Sequence, residues 1–407
     1  MLYFTNQELA SIYHVSARTV RNWIESARTG KSNITLLNKG ERYYIGNTAK
    51  NIKVMEELAL KGKKYRPHRA YRILSPKPEF YKLYTPEQIH DIVSNLEIYH
   101  EIPPDYNYFD AAATDWDSYA VRLSKEDNIN ALNATVNLID ANFSYIDAIL
   151  KDADNVNIID IGVGNALPAK NLINHLIEID KMGRYIALDI SASMLEIAKR
   201  NVQQWFGDKV QFESRLTNIN FDRFTGILTE ESIKNQSKKT VNLILLFGGT
   251  LGNFRSPQGA LRTIHDSMGI DDLLIYGKKL DSASTRRLFD VDAGPGEPTL
   301  ASIYGFVVNL LNINKTYYEL ELGYDPIRHE RYEQIKFNVA LTIKFQFEKG
   351  ERSVNINKND TILIWRSKQQ SALDIINQFD QSEFYTLHTS QTYNQEYILA
   401  ISRLKRS

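Results

Sequence analysis

The sequence contains no cysteine among its 407 residues. This absence excludes disulfide bridges, cysteine-ligated zinc sites and catalysis by a cysteine nucleophile. No two of the 8 histidines have a spacing typical of zinc ligands, so we expect no metal site. No apolar run approaches the roughly 20 residues of a membrane span, and the polar start "MLYFTNQELA" lacks a signal-peptide core. We therefore expect a cytoplasmic protein that does not enter a membrane.

The charges balance overall but are unevenly distributed along the chain. Of 49 basic and 49 acidic residues, residues 1–72 hold 14 and 5, which leaves 35 and 44 for the remainder. The N-terminal part therefore carries +9 and the rest carries −9. A basic head on an acidic body favours nucleic-acid binding by the head, although a solvated lysine-rich surface would give the same count. The length and the 43% hydrophobic content are sufficient for two or three folded domains.

Residues 1–65 predict a small winged helix-turn-helix domain. In "FTNQELASIYHVSARTVRNWIESA", Thr5 and Glu8 form a capping box before one helix, and Ser16 can cap a second helix after the short "HVS" link. The run "ITLLNKGERYYI" predicts a hairpin with Arg42 near its tip, and a third helix follows from about Thr48 to Leu60. This arrangement resembles the winged helix of the MerR and excisionase type.

The predicted second helix carries polar side chains near its start, where a recognition helix meets DNA. We expect binding to double-stranded DNA through Ser16, Arg18, Thr19, Arg21, Asn22 and Arg42. Three-helix units also serve as protein-docking modules, so that role stays open. Because many winged-helix regulators dimerise, a homodimer is also expected. Residues 66–104, with six prolines, read as a linker followed by a helix.

After residue 105 the pattern alternates between strands and helices. "NVNIIDIGVGNALPAKNLINHLIE" gives a strand, a glycine turn and a helix, and "GRYIALDISASMLEIAKRNVQQWF" gives a strand, an acidic residue and a helix. Further strands follow in "KVQFESRLTNINF", "TVNLILLFGGTLGNF" and "DDLLIYGKKLD". This order predicts an α/β fold with a doubly wound, Rossmann-like sheet. Right-handed crossovers would place the strand C-termini on one edge, where ligands bind.

The first of these strands ends in a G-x-G turn formed by Gly162 and Gly164. Nicotinamide, flavin and S-adenosylmethionine (SAM) sites all use such turns. Leu167 occupies the place of the third glycine of a dinucleotide fingerprint, which favours SAM. Asp160 can order the loop or accept a hydrogen bond from a ligand's ammonium group. Asp189 closes the second strand, where it can accept from both ribose hydroxyls or cap the next helix.

Three stretches together, "IIDIGVGNALP", "YIALDISASMLEIA" and "LFGGTLGNF", resemble a class I SAM-dependent methyltransferase. More closely, "LFGGTLGN" is similar to the stretch after strand four in the histidine-specific N-methyltransferases of the ergothioneine pathway. "YFDAAATDWDSY" resembles the N-terminal lid segment of that family. The resemblance implies a methyltransferase core over residues 105–284, an inserted α+β substrate-covering domain over 285–366, and the last helix and strands of the core over 367–407.

The resemblance also implies roles for individual residues. The SAM side would be formed by Asp160, Gly162, Gly164, Asp189, Thr217, Asn218, Phe247 and Gly248. The acceptor side would be formed by Phe109, Tyr119, Asn253, Phe337, Trp365 and Ser367. Asn253 matches the asparagine that holds the polar end of the amino acid, and we assign it the catalytic positioning role as well.

Two positions depart from the family pattern. Trp365 stands where the family has a glutamate that recognises imidazole, and an indole cannot accept a hydrogen bond from an imidazole N–H. This departure argues against histidine as the substrate. The acid expected after strand three, against the adenine amine, is also missing from "RLTNIN", where Thr217 or Asn218 offers only a neutral contact.

Two functions from different classes follow from these patterns. The first is a SAM-dependent methyltransferase acting on an amine or an amino-acid-like small molecule, with a DNA-binding head. The second is a DNA-binding transcriptional regulator whose SAM-type domain senses a ligand with little or no turnover. The stretch after strand four lacks the Asn/Asp-Pro-Pro-Tyr/Phe motif of DNA amino-methyltransferases. We therefore do not expect the head to deliver a DNA base to this active site.

Overall fold

The computed structural model describes residues 3–13, 15–40, 42–46, 48–61, 72–127, 129–227, 239–282 and 304–406. The chain divides into two compact units. The first comprises Met1–Ile73 with Val339–Thr342, and the second comprises Leu74–Asn338 with Ile343–Ser407. Within the described part of the chain, every helix is too short or too polar to span a lipid bilayer.

The first unit contains three helices and a small antiparallel sheet. In chain order its elements are β1 (Tyr3–Phe4), α1 (Asn6–Ile12), α2 (Ala17–Arg28), β2 (Leu36–Lys39), β3 (Arg42–Gly46) and α3 (Ala49–Lys61). The strands pair in the order β1-β3-β2. Leu9, Val20 and Trp23 are buried in one core with Ile45 and Met55, so the apolar faces of α1 and α2 pack together as their helical spacing predicts.

Both predicted helix caps are present in this unit. The Glu8 carboxylate accepts from the Thr5 N–H at 2.7 Å, and the Glu8 N–H donates to the Thr5 hydroxyl at 3.2 Å. This reciprocal pair satisfies two N–H groups that a helix start leaves open. Ser16 caps α2, where its hydroxyl accepts from the Thr19 N–H at 3.1 Å.

The strand β4 (Arg72–Leu74) marks the boundary between the units. The second unit then begins with five helices: α4 (Pro78–Leu83), α5 (Pro86–Tyr99), α6 (Ala111–Leu123), α7 (Ala131–Ala141) and α8 (Phe143–Ile149). A 3-10 helix at Pro104–Asn107 lies between α5 and α6. The core that follows contains β5 (Asn155–Ile161), α9 (Lys170–Glu178), β6 (Met182–Asp189), α10 (Ala192–Phe206), β7 (Gln211–Leu216), β8 (Thr240–Phe247), α11 (Thr250–Asn253), α12 (Pro257–His265) and β9 (Leu273–Lys279).

The C-terminal part of the second unit adds a further helix and strands before it returns to the core. Its elements are α13 (Phe306–Leu310), β10 (Tyr318–Asp325), β11 (Glu330–Phe337), β12 (Leu341–Phe347), β13 (Gly350–Ile356), β14 (Thr361–Lys368), α14 (Ala372–Gln381), β15 (Phe384–Gln391) and β16 (Tyr397–Leu404). Strands β10, β11 and β14 form one antiparallel sheet in that order. Strands β12 and β13 are neighbours in another.

The main sheet has seven strands in the order β15-β16-β9-β8-β5-β6-β7. The strands from β9 to β7 are parallel, whereas β15 and β16 are antiparallel. Side chains of α7 to α10 pack in one apolar core and those of α12 and α14 in another. Because both faces of the sheet are covered there, the central strands β8 and β9 are largely apolar and buried, whereas the edge strand β7 is polar and mostly exposed. The mostly parallel α/β sheet confirms the predicted Rossmann-like core, and it brings the C-terminal ends of β5, β6 and β8 to one edge.

Candidate active site

The turn after β5 depends on two glycines with positive φ, +65° at Gly162 and +54° at Gly164. A Cβ on Gly162 would lie 3.0 Å from the hydroxyl of Thr250, which belongs to the stretch after β8. A Cβ on Gly164 would lie 2.7 Å from the ring of Trp116 on α6. The glycines therefore allow three elements, the turn, α6 and the start of α11, to meet at the sheet edge.

Asp160 precedes this turn and is directed into the core. Its carboxylate accepts from the hydroxyl of Tyr185 at 2.5 Å, and only 3% of the residue is exposed. Burial raises the pKa of Asp160 to about 7, although the hydrogen bond from Tyr185 opposes this shift. This hydrogen bond links β5 with β6, and both roles that the sequence left open for Asp160 stay predictions.

Asp189 ends β6 beside the glycine turn and is half-buried. Its carboxylate accepts from the Ser191 N–H at 2.9 Å. Burial raises the pKa of Asp189 to about 6, while the N–H groups of Ser191, Gly164 and Ile190 lower it. Ser191, not Asp189, caps α10. The carboxylate therefore faces the turn rather than serving as the helix cap.

The stretch after β8 places its residues in three different environments. Phe247 is buried in the core, where its ring would lie 3.1 Å from a Cβ on Gly277. Gly248 has φ +72° with open space where a Cβ would be. Asn253 ends α11, and in the orientation that satisfies its neighbours its amide donates to the carbonyls of Arg366 at 2.8 Å and Gly249 at 3.1 Å. These two bonds leave the amide oxygen of Asn253 as the group that can accept from a ligand.

The loop after β7 lies next to Asp189. The Thr217 N–H donates to the Asp189 carbonyl at 2.8 Å. The side-chain oxygen of Asn218 accepts from the N–H and the amide of Asn220, both at 3.1 Å. The Asn218 oxygen is thus used within its own turn, and Thr217 is the closer of the two to the acidic edge.

A second group of polar and aromatic side chains lies on the sheet formed by β11 and β14. In the antiparallel register Glu333 is opposite Trp365, and Arg331 is opposite Ser367. Directly opposite residues share one face of a sheet, and the Arg331 guanidinium lies 5.8 Å from the Trp365 ring centroid. Burial raises the pKa of Glu333 to about 7, and the neighbouring Arg331 charge opposes this shift. We call this group of four residues the acceptor face.

Two tyrosines connect the acceptor face with the sheet edge. Tyr304 lies 5.5 Å from Trp365, measured between ring centroids. Tyr304 also forms a side-chain hydrogen bond with Tyr108. Burial raises the pKa of Tyr108 well above its usual value, and the charge of Asp189 raises it further. The charge of Asp189 therefore acts on Tyr108, and side-chain contacts run from Tyr108 through Tyr304 to Trp365.

Asp105 lies beside this series and was not singled out by the sequence. It belongs to the 3-10 helix Pro104–Asn107 and is half-buried. Burial raises the pKa of Asp105 to about 7, and the charge of Asp189 contributes to the rise. Trp116 and Glu333 were missed as well. Neither position carries a motif, and their places depend on how α6 packs and on the register of β11 with β14.

Three predicted acceptor residues lie away from this series or on its margin. Phe109 is buried against Tyr84, at 4.9 Å between ring centroids. Phe337 is fully buried near Tyr318, at 6.3 Å. Tyr119 on α6 is 44% exposed. The positions of Phe109 and Phe337 are those of packing residues, so a direct contact with a ligand stays a prediction for them.

The other face of β14 lines a separate polar cavity of about 830 Å³. Arg366 forms ion pairs there with Glu101 and, at 3.7 Å, with Glu330. Side chains alternate along a strand, so this cavity is separated from the acceptor face by β14 itself. Across the described ranges, no group of three or more histidine, aspartate and glutamate side chains is arranged to hold a metal ion.

The predicted DNA-contacting residues are considered within the first unit alone. Arg18, Arg21 and Asn22 are exposed along α2, and Arg42 is exposed at the start of β3. Arg21 also donates to the Ala17 carbonyl at 3.3 Å. The remaining two, Ser16 and Thr19, share the hydroxyl contact of the helix cap at 2.9 Å.

Comparison with known proteins identifies the family whose profile this chain matches. Residues 134–404 match the profile of the family described as "Histidine-specific methyltransferase, SAM-dependent". Proteins of curated function give no match. One similar solved structure is a SAM-dependent methyltransferase from Clostridium acetobutylicum ATCC 824; the identity is 10%, the TM-score is 0.41, and the match covers 72% of this chain and 99% of that one. Another is a magnesium protoporphyrin IX methyltransferase from Synechocystis PCC 6803; the identity is 10%, the TM-score is 0.41, and the match covers 74% of this chain and 97% of that one.

Proposed function

Because this chain belongs to the histidine-specific, SAM-dependent methyltransferase family, we propose that it methylates a nitrogen of an amine or an amino-acid-like small molecule. The observation that carries the proposal is the series of contacts from Tyr108 through Tyr304 to Trp365, together with the charge of Asp189 that acts on Tyr108. It joins an edge suited to the cofactor with a face suited to a polar acceptor. The enzyme is a SAM-dependent methyltransferase, and the proposal concerns its acceptor.

The residues at the sheet edge fit SAM. Asp189 presents a half-buried carboxylate for the ribose hydroxyls, and the glycine turn brings backbone N–H groups close to the place of the ligand. When bound, SAM supplies an electrophilic methyl group on a positively charged sulfur. Half-buried acids beside that edge suit a cationic ligand, because opposite charges attract more strongly where water is excluded.

The residues on the acceptor side would hold and orient the amine. The oxygen of Asn253 can accept from the ammonium group of an amino acid, since both N–H groups of this amide donate to carbonyls. At the far end, Glu333 offers a carboxylate on the face of Trp365. The family glutamate that Trp365 replaces therefore has a possible substitute on the opposite strand, and histidine returns to the set of acceptors to be tested.

Turnover tests this proposal. Purified protein with SAM and single amines, including histidine, other amino acids and simple diamines, is expected to form S-adenosylhomocysteine and an N-methylated product with at least one of them. Asn253→Ala should reduce kcat/KM for that acceptor by roughly tenfold, the effect of one or two lost hydrogen bonds. Failure of every amine, under conditions in which calorimetry shows SAM bound, would contradict an amine acceptor.

For the first unit we propose binding to double-stranded DNA by a winged helix-turn-helix. The support is the order of α1, α2, the β2-β3 hairpin and α3, with exposed Arg18, Arg21 and Arg42 and a charge of +9 over residues 1–72. In this arrangement α2 would enter the major groove and the hairpin would contact phosphates.

Fluorescence anisotropy with labelled duplex DNA tests this second proposal. The variant Arg18→Ala/Arg21→Ala should weaken binding at least about tenfold and lower the dependence on salt. Arg28→Ala is the matched control, because Arg28 lies on the same helix but pairs with Glu25 at 2.8 Å near the C-terminal end. DNA retention that is unaffected by both arginine substitutions and insensitive to salt would favour a protein-docking role.

A further inference from the structure

A short segment between α5 and α6 lies against both ends of the proposed site. At its C-terminal end, the Asp110 N–H donates to the Ser193 hydroxyl at 3.1 Å, which ties the segment to the start of α10 just after Asp189. In its middle, the amide oxygen of Asn107 accepts from the Val307 N–H on α13 at 3.2 Å. The segment 104–110 therefore bridges the cofactor edge and the acceptor side.

Asp105 is the acid at the centre of this bridge. The acidic groups that act on its carboxylate are Asp189 at the end of β6, Glu101 before the 3-10 helix and Asp91 on α5. Glu101 is paired with Arg366. Asp91 accepts from the hydroxyl of Tyr106 at 2.8 Å.

Asp105 and Asp189 thus remain as two half-buried acids, and the charge of Asp189 acts on the Asp105 carboxylate. Within the residues that the structure describes, neither forms an ion pair with a lysine, arginine or histidine. Burying two like charges together is unfavourable unless a cation or a proton compensates them. The family supplies such cations, since SAM is a sulfonium and an amine acceptor is protonated in water.

Asp189 has a role at the ribose, whereas Asp105 has none in the family pattern carried over to this chain. Tyr108, three residues after Asp105, reaches Tyr304 on the acceptor side, so the 3-10 helix lies between the cofactor edge and the acceptor side. We infer that Asp105 holds the ammonium group of the acceptor beside the methyl group to be transferred and takes its proton. This inference rests on the proposed amine acceptor.

The proton transfer is balanced as follows. One N–H bond of the ammonium group breaks and its electron pair stays on nitrogen, while the proton binds an oxygen of the Asp105 carboxylate. The neutral amine then has the lone pair that a displacement at the methyl carbon requires. Asp105 afterwards returns the proton to solvent. Because burial and the charge of Asp189 raise the pKa of Asp105 to about 7, the carboxylate is basic enough for this exchange near neutral pH.

A pair of cofactor analogues tests where Asp105 points without any turnover. Sinefungin carries a protonated amine where SAM carries its methyl sulfonium, whereas S-adenosylhomocysteine is neutral there. The rest of the two ligands is alike, including the amino acid ammonium group. Calorimetry on wild type and Asp105→Asn gives the ratio of the two dissociation constants for each protein. We expect the preference for sinefungin over S-adenosylhomocysteine to fall about tenfold in Asp105→Asn, the loss of one charge-assisted contact.

An unchanged ratio in Asp105→Asn would overturn the inference, and so would an equal loss for both ligands, which would assign Asp105 to the common part of the cofactor. Asp110→Asn, a change of an exposed acid on the same segment, is the control and should leave the ratio unchanged. The analogue ratio does not depend on the acceptor, so it separates failure of this inference from failure of the amine proposal. With an active acceptor, log kcat of the wild type should rise with pH up to about 7. This rise should be absent in Asp105→Asn.

Discussion

The cofactor edge and the acceptor face are built in different ways. The edge is local: Gly162, Gly164 and Asp189 come from two consecutive strand-to-helix turns, and each follows a buried strand. The acceptor face is assembled from distant pieces, with Glu333 and Trp365 brought together only by the pairing of β11 with β14. The edge therefore follows a sequence pattern shared by many nucleotide-binding sites, whereas the acceptor face depends on which side chains the register of two strands places opposite each other.

The largest effect is expected at the glycine turn, which belongs to the cofactor edge alone. In Gly164→Ala the new Cβ would lie 2.7 Å from the Trp116 ring, so the turn or α6 must move. Overpacking of this kind costs about 1–3 kcal/mol, and we expect SAM binding to weaken by roughly ten- to a hundredfold in calorimetry.

Gly207→Ala is the matched control for the turn. Gly207 has φ +56°, close to the +54° of Gly164, but nothing lies within 4 Å of its Cβ position. The control therefore also places an alanine at a positive φ but without the collision, and its SAM affinity should stay at the wild-type value. If both variants bound SAM equally, the contact between α6 and the turn would have no part in the cofactor site.

The next effect is expected at Asp189. Asp189→Asn removes the charge that we assign to the ribose hydroxyls, and hydrogen bonds to charged groups contribute about 1.5–3 kcal/mol. The dissociation constant for SAM should therefore rise roughly tenfold or more. Asp160→Asn serves as the comparison, because the Asp160 carboxylate already accepts from Tyr185 at 2.5 Å. That variant should lower the thermal midpoint of unfolding and change SAM affinity little; the reverse pattern would exchange the two roles.

A smaller effect, confined to the acceptor, is expected at Glu333. Glu333→Gln keeps the shape of the side chain but removes the charge opposite Trp365. The acceptor KM should rise about three- to tenfold, the effect of losing one charge-assisted hydrogen bond at a half-buried position. SAM affinity should not change. The control is Glu321→Gln on β10, whose carboxylate pairs with Lys336 at 3.0 Å. An acceptor KM that responded equally to both changes would mean that the effect is not specific to this face.

The smallest effect is expected at Tyr119, which the sequence placed among the acceptor contacts. Tyr119 is 44% exposed, with the Arg122 guanidinium 5.2 Å from its ring centroid. Tyr119→Phe removes only the hydroxyl, and surface changes of this size are usually within about 0.5 kcal/mol. We expect kcat/KM for the acceptor within about twofold of wild type. A loss of tenfold or more would instead place this hydroxyl in direct contact with the acceptor.

The sequence was sufficient for the cofactor edge because that edge is specified by local rules. A buried strand, a positive-φ glycine and an acid at the end of the next strand are each visible in a short window. The same holds for the mostly parallel sheet, whose alternating pattern predicts the Rossmann-like core.

The sequence was insufficient where positions depend on packing or register. Phe109 and Phe337 were predicted to contact the acceptor; both are buried against aromatic rings, and that contact stays a prediction. Asp105 carries no motif, and it becomes notable only because the 3-10 helix lies between Ser193 and Val307. The position of Glu333 opposite Trp365 depends on the register of β11 with β14. The alternation of side chains within each strand does not determine that register.

The most direct test of the account is a set of initial rates in which SAM and one active acceptor are varied in turn, for wild type, Asp189→Asn and Glu333→Gln. The central claim is that two separate groups of residues bind the two ligands, one at the edge of the main sheet and the other on the acceptor face of β11 and β14. It predicts that Asp189→Asn raises the KM for SAM and leaves that for the acceptor unchanged, and that Glu333→Gln does the opposite. If Glu333→Gln changed the KM for SAM, or Asp189→Asn changed only that for the acceptor, the assignment of the two ends would be contradicted.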